Sequence, residues 1–183
     1  MPRYAVLLRG VNVGGRSKLA MADLRALLSS LGYTDVTTYL QSGNALISSP
    51  DGPGRVEGRI EEALAAEVGM TTRVLVRTGA DLSTVIEQNP FPDAVDAKPP
   101  ALHVAFLSAQ PDPAHAAELD PDAWAPDRFG LGDRAVYLWY AHGSQQSKLA
   151  AGVLGQLARG DLGLAATSRN WNTVRTLADR LSG

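Results

Sequence analysis

The sequence contains no cysteine in 183 residues. That excludes disulfides, thiol nucleophiles and cysteine-ligated metals together. Histidine is almost as scarce, with only His103, His115 and His142 present. A metal centre would therefore need mainly carboxylates, and no metal-ligand spacing occurs. Positive charge is not in excess, since 17 Lys and Arg face 19 Asp and Glu for a formal net charge of −2. Without an overall basic field to attract nucleic acid or an anionic membrane, any anion site has to be local. No apolar run approaches the ~20 residues that span a bilayer. Met1-Pro2-Arg3 leads straight into strand-like Tyr4–Leu8, with no signal-peptide core or cleavage site. A cytoplasmic protein without membrane contact is expected.

What is present is ordinary globular composition, 45% hydrophobic and 20% charged, organised around Leu8-Arg9-Gly10-Val11-Asn12-Val13-Gly14-Gly15-Arg16-Ser17-Lys18. This stretch leaves an apolar strand, passes three glycines and several side-chain donors, and enters a helix. Such a loop can turn backbone N–H groups toward an anion. It also matches most of a phosphate-loop pattern, but Arg16 stands where that pattern has lysine. The surrounding order of elements is not the parallel βαβ unit a nucleotide-hydrolysing loop requires, so the pattern does not indicate an NTPase.

Tyr4–Leu8 reads as a buried strand, and Met21, Leu24, Leu27, Leu28 and Leu31 fall at helical spacing before Gly32. Strands over Val36–Leu40 and Ala45–Ser48 flank the turn Gln41-Ser42-Gly43-Asn44. Val56, Ile60, Leu64 and Val68 mark a second helix, and Thr72–Val76 a fourth strand. A short helix follows over Asp81–Gln88. Proline is dense between Asn89-Pro90-Phe91-Pro92 and Lys98-Pro99-Pro100, the most linker-like part of the chain. The second half repeats the order: strand Leu102–Leu107, helix Pro113–Leu119, and strands over Arg128–Leu131 and Ala135–Tyr140 joined at Gly132-Asp133. A helix through Leu149, Val153, Leu154 and Leu157, a strand Leu164–Thr167, and a last helix with Trp171, Val174, Leu177, Ala178 and Leu181 complete it. The fold class expected is α+β, two tandem ferredoxin-like βαββαβ subdomains each followed by an extra helix. The divisions are 1–89, a proline-rich linker 90–100, and 101–183.

In such a unit the first helix crosses over between parallel strands. The loop after the first strand and the hairpin after the second then share one end of the sheet, and the expected strand order is 4-1-3-2, antiparallel. Gly10–Lys18 should therefore lie beside Gln41–Asn44. In the second half, His142–Lys148 should meet Ser168–Thr173 at the end where the third and fourth strands finish.

The candidate ligand contacts are Arg9, Asn12, Gly14, Gly15, Lys18, Gln41, Ser42, Gly43, Asn44, Lys148, Arg169, Asn170 and Asn172. The cations suit phosphate or carboxylate, and the amides suit a base or sugar edge. Each also has an ordinary structural role: solvated charge for the cations, turn closure or helix capping for the asparagines. Trp171 could stack on a base, yet its spacing with Val174 and Leu181 points to core packing. His142 and Ser144 suggest a base beside a nucleophile, but two residues apart they define no triad, and no nucleophile elbow is present. The acidic run Asp120-Pro121-Asp122 with Asp127 suits a cation or, more simply, a solvated loop.

The stretches Leu8-Arg9-Gly10-Val11-Asn12-Val13-Gly14-Gly15, Gln41-Ser42-Gly43-Asn44, Asn89-Pro90-Phe91, Ser147-Lys148-Leu149 and Arg169-Asn170-Trp171-Asn172-Thr173-Val174 resemble the bacterial domain of unknown function 1697 family. The resemblance implies two tandem ferredoxin-like subdomains and carries no activity with it. Residues 142–146 depart from the family's glycine- and arginine-containing pattern.

The function expected is non-catalytic binding of a phosphate-bearing ligand, a nucleotide or a short nucleic-acid segment, at this polar rim. The alternatives are a small transferase or hydrolase using the same pocket, and a protein-interaction module. No residue pattern names a cofactor.

Overall fold

The computed structural model describes residues 1–13, 18–96, 101–161 and 163–183. Among them are two four-stranded antiparallel sheets and six α-helices, a mixed α+β architecture. The chain divides into two compact units, Met1–Ser83 with Leu177–Gly183, and Thr84–Thr176.

The first unit runs β1 (Arg3–Leu8), α1 (Met21–Ser30), β2 (Thr34–Tyr39), β3 (Asn44–Ser48), α2 (Pro53–Ala63), β4 (Val74–Thr78) and the start of α3 (Gly79–Glu87). Its strand order is β2-β3-β1-β4, the 4-1-3-2 order that the crossover argument requires. The central strand β1 is apolar because it is covered on both faces: Tyr4, Ala5, Val6, Leu7 and Leu8 are all buried. Tyr4, Val6 and Leu8 join Leu24, Leu28, Val56 and Ile60 in one core under α1 and α2. Helix α2 opens on Pro53 and ends in a π-helical turn, Leu64–Val68, closed by Gly69 in the left-handed conformation.

The second unit contains β5 (Leu102–Leu107), α4 (Pro113–Ala117), β6 (Arg128–Gly132), β7 (Ala135–Trp139), α5 (Leu149–Leu157), β8 (Ala166–Asn170) and the first half of α6 (Trp171–Ser182). The order β6-β7-β5-β8 repeats that of the first sheet. Ala105, Leu107, Val136, Leu138, Leu149, Val153 and Leu157 form its core beneath α5. Trp171, Val174, Leu177 and Ala178 are buried, so Trp171 is a packing residue and presents no free stacking face.

Several boundaries differ from the sequence pattern. β2 begins at Thr34 and excludes Leu40, because it is an edge strand with weak alternation and an irregular register between Thr34 and Thr37. β4 starts two residues later than Thr72 and continues through Arg77, and β8 covers Ala166–Asn170 where Leu164–Thr167 was expected. Both late strands contain an arginine that is buried where a pattern reader stops at the charge: Arg77 is 2% exposed and Arg169 is 7% exposed.

Candidate functional site

The two motifs of the first unit meet at the end of β1. Antiparallel pairing puts Leu7 opposite Asn44, and the next amide, Leu8 N–H, donates to the Gly43 carbonyl at 2.9 Å. The approach is so close that a Cβ on Gly43 would stand 2.9 Å from Leu8 Cβ and 3.3 Å from Val11 Cβ. Gly43 also has φ +76°, which glycine adopts without steric cost.

Asn12 completes the junction. Its backbone is left-handed, φ +56°, a conformation asparagine tolerates better than most residues. Its Nδ2 donates to the Gln41 carbonyl at 2.7 Å and to the Leu19 carbonyl at 2.8 Å, while its Oδ1 accepts from Leu19 N–H at 2.9 Å. One side chain thus ties the loop to the hairpin and closes the loop on itself. On the other side, Arg9 N–H donates to the Arg73 carbonyl and the Thr72 hydroxyl donates to the Arg9 carbonyl.

Asn12, Lys18, Leu19, Ala20 and Gln41 line a hollow of about 420 Å³ at the start of α1. Lys18 is exposed there, and no carboxylate lines the hollow among the described residues. Ala20 at the helix start provides no side-chain cap for the first-turn amides. The hollow therefore combines one cation, an exposed glutamine and the positive end of a helix. Gly14 and Gly15 lie outside the described residues.

The other first-unit candidates are placed differently. Arg9 lines a separate hollow of about 390 Å³ with Gly10, Glu61, Thr71, Thr72 and Arg73. Arg73 there pairs with Glu61 at 3.3 Å. Asn44 is fully buried, and its Nδ2 donates to the Tyr39 carbonyl and the Ser42 hydroxyl, both at 2.9 Å. Asn44 and Ser42 close the hairpin.

In the second unit the pairings Leu102↔Trp139 and His103↔Asn170 bring the ends of β7 and β8 to the start of β5. The 142–148 loop nevertheless takes its hydrogen bonds from a different partner. Asp127 accepts from Ala141 N–H at 2.8 Å and from the Ser147 hydroxyl at 2.6 Å, and the Ser147 oxygen in turn accepts from Leu149 N–H at the start of α5. Asp127 is a loop clamp. Pro126, Asp127 and residues 142–147 line a hollow of about 620 Å³. His142 and Ser144 are both exposed in it, and no hydrogen bond joins them.

Lys148 is exposed at the start of α5. Arg169 is buried, donating to the Thr167 hydroxyl and the Ser168 carbonyl at 2.8 Å each. Burial lowers its pKa to about 10. Asn170 caps α6, its Oδ1 accepting from Thr173 N–H at 2.9 Å, and Asn172 is exposed in the helix's first turn. His103 stacks edge-on against Tyr140 at 5.2 Å. Asp120 caps its own turn through Asp122 N–H. No group of three or more metal-ligating side chains occurs among the described residues, and none of their helices is long and apolar enough to cross a membrane.

A family model described as a protein of unknown function, DUF1697, matches residues 1–137. The chain belongs to that family. The matched part contains the β1–α1 loop, the β2–β3 hairpin and Asn89-Pro90-Phe91, whereas the motifs at 147–149 and 169–174 lie beyond it. In Asn89-Pro90-Phe91, Asn89 Oδ1 accepts from Phe91 N–H at 2.9 Å, a local turn closure. No curated protein matches the chain. A conserved bacterial protein of Streptococcus pneumoniae has a similar solved structure, with a TM-score of 0.76 and 22% identity over 100% of this chain and 99% of that one. At that identity the likeness concerns the fold.

The exposure of two large apolar residues had no clear signal in the sequence. Val13 and Leu40 are large apolar residues that stay exposed at 64% and 53%. Leu40 reads as the end of a strand, and only its left-handed backbone, φ +57°, takes it out of the sheet.

Proposed function

We propose that each half is a ferredoxin-like βαββαβ unit and that the chain binds a phosphate-bearing ligand, without catalysis, in the hollow at the start of α1. The observation that carries this reading is the hollow's composition: Lys18 exposed beside an uncapped helix start, with no carboxylate in the lining among the described residues. In a chain of net charge −2, that arrangement favours an anion locally where the overall field does not. Asn12 supports it by tying Leu19 at the helix entrance to Gln41 of the hairpin before any ligand arrives, which reduces the ordering cost of binding. Gln41 adds a hydrogen-bonding side chain on the hairpin side. His142 and Ser144 are not hydrogen-bonded to each other, so the pair lends no support to a hydrolase in the second unit.

The test is a thermal-stabilisation screen of wild type against nucleotides, sugar phosphates and short oligonucleotides, repeated with Lys18→Ala. A ligand that binds only the native state raises the melting temperature by an amount that grows with the logarithm of its concentration over Kd. A phosphorylated compound should raise it in the wild type and not in the variant. Equal shifts in both proteins, or none from any phosphorylated compound, would remove the reading.

A further inference from the structure

We infer that the outer edge of β6 is an association surface for a second copy of this chain, the two β6 strands pairing antiparallel about Gly130. It shares no residue with the Lys18 hollow. Hydrogen-bond parity fixes which backbone groups β6 leaves over. Leu107 N–H donates to the Arg134 carbonyl and Tyr140 N–H to the Ala101 carbonyl, so the even-numbered residues of β7 bond toward β5. The odd ones, Ala135, Tyr137 and Trp139, pair with Gly132, Gly130 and Arg128 of β6. Phe129 and Leu131 therefore turn their N–H and C=O groups away from the sheet. Among the described residues nothing bonds to those outward groups. The other edges are treated differently. The outward amides of β4, at Val74, Val76 and Thr78, donate to Glu61, Glu57 and Asp81 carboxylates. β2 is interrupted by its register shift between Thr34 and Thr37, and on β8 the outward Ser168 carbonyl takes the Arg169 guanidinium.

The side chains that border the open β6 edge are apolar. Leu131 is 44% exposed, and Phe129, two residues away on the same face, packs edge-on against Trp124 at 5.7 Å. An open edge with an exposed leucine is a template for another strand. The sequence of β6 suits its own copy. With Gly130 opposite Gly130, Phe129 faces Leu131 of the second copy and Leu131 faces its Phe129, each pair exchanging both of its N–H···O bonds. Charge follows the same symmetry. Arg128 is exposed at one end of the strand and Asp133 just beyond the other, and neither has an ion-pair partner among the described residues. Antiparallel pairing brings each Arg128 to the Asp133 end of the other copy. Asp127 does not compete, because Ala141 N–H and the Ser147 hydroxyl already donate to it. An unrelated extended peptide would satisfy the backbone groups without matching both charged ends.

A five-residue edge buries little area, so the pairing is a weak, concentration-dependent equilibrium. The test is sedimentation velocity of the full chain from about 1 to 300 μM, with melting temperatures taken at the lowest concentration. Wild type should pass from monomer to dimer as concentration rises. Leu131→Lys puts a charge at the edge and should raise the dimer Kd at least about tenfold while melting with wild type. Arg128→Asp alone and Asp133→Arg alone should each weaken the dimer. The two together in one chain should restore it, because a two-fold axis makes the exchange complementary. A wild-type chain that stays monomeric throughout, as it would if a different protein supplied the strand, would overturn the assignment. So would a dimer indifferent to Leu131→Lys, or one that the double exchange does not restore.

Discussion

Asn12 holds its loop in two directions at once, and replacing it separates two kinds of cost. Asn12→Ala removes three hydrogen bonds and places a less tolerant residue at φ +56°, so it should destabilise by about 2–4 kcal/mol. Asn12→Gly loses the same bonds but accepts the backbone, and should recover roughly 1 kcal/mol of that loss. Denaturant unfolding of the two variants checks the difference, and equal stability would mean that the backbone conformation is unimportant. Gly43 presents the complementary case. Gly43→Ala meets both the left-handed backbone and the Leu8 and Val11 side chains, so a loss of at least ~2 kcal/mol is expected from urea titration. Both residues matter to the hollow because they fix the positions of Lys18 and Gln41.

At the scale of elements, β4 shows how a sheet edge is protected. Glu61 Oε1 accepts from Val74 N–H and Glu57 Oε1 from Val76 N–H, both at 2.8 Å, so carboxylates from α2 satisfy the amides of the edge strand. Helix α3 is fixed by a reciprocal cap in which Thr78 N–H donates to Asp81 Oδ2 and Asp81 N–H to Thr78 Oγ1. Asp81→Ala should cost on the order of 1 kcal/mol, read as a lowered melting temperature. An unchanged temperature would show that tertiary packing alone holds α3. The central strands were legible in the sequence because burial on both faces makes β1 and β5 continuous apolar runs. The edges were not: β2 carries little apolar alternation, and Arg77 and Arg169 look like strand ends while lying inside β4 and β8. The neighbourhood of loop and hairpin followed from the crossover. The separation of Arg9 from Lys18 into different hollows did not, because it depends on side-chain direction, which no spacing rule sets. Asparagine was ambiguous for the same reason, since turn closure and ligand contact use the same atoms.

For the whole molecule, buried tyrosines set the behaviour at high pH. The Tyr137 hydroxyl donates to the Val85 carbonyl at 2.7 Å, and burial pushes its pKa up to about 12. Tyr140 is raised to about 12 by burial and then by the negative charge of Asp127. An unfolded tyrosine ionises near ~10. Between those values the unfolded chain releases protons that the native chain keeps, so stability present below pH ~10 is lost as pH rises through about 12. Arg169 acts in the opposite direction, because its lowered pKa lets the native state release a proton first. Two tyrosines outweigh one arginine, and a net fall in stability from pH 10 to 12 is expected. Absorbance titration should show late-ionising tyrosines, fewer in Tyr137→Phe; ionisation of every tyrosine near 10 would contradict the packing of the second unit.

The proposed anion site takes its charge from Lys18. The most direct measurement is calorimetric titration of wild type and Lys18→Ala, at two salt concentrations, with the phosphorylated compound that stabilises wild type most. A charge-assisted contact contributes roughly 1.5–3 kcal/mol, so Lys18→Ala should weaken binding on the order of tenfold to a hundredfold. Wild-type affinity should also fall as salt rises, and fall less steeply in the variant. The variant should keep its fold, since an exposed lysine usually changes stability by less than about 0.5 kcal/mol. Unchanged affinity in Lys18→Ala, with no salt dependence in either protein, would mean that the loop is a turn and the hollow binds no anion.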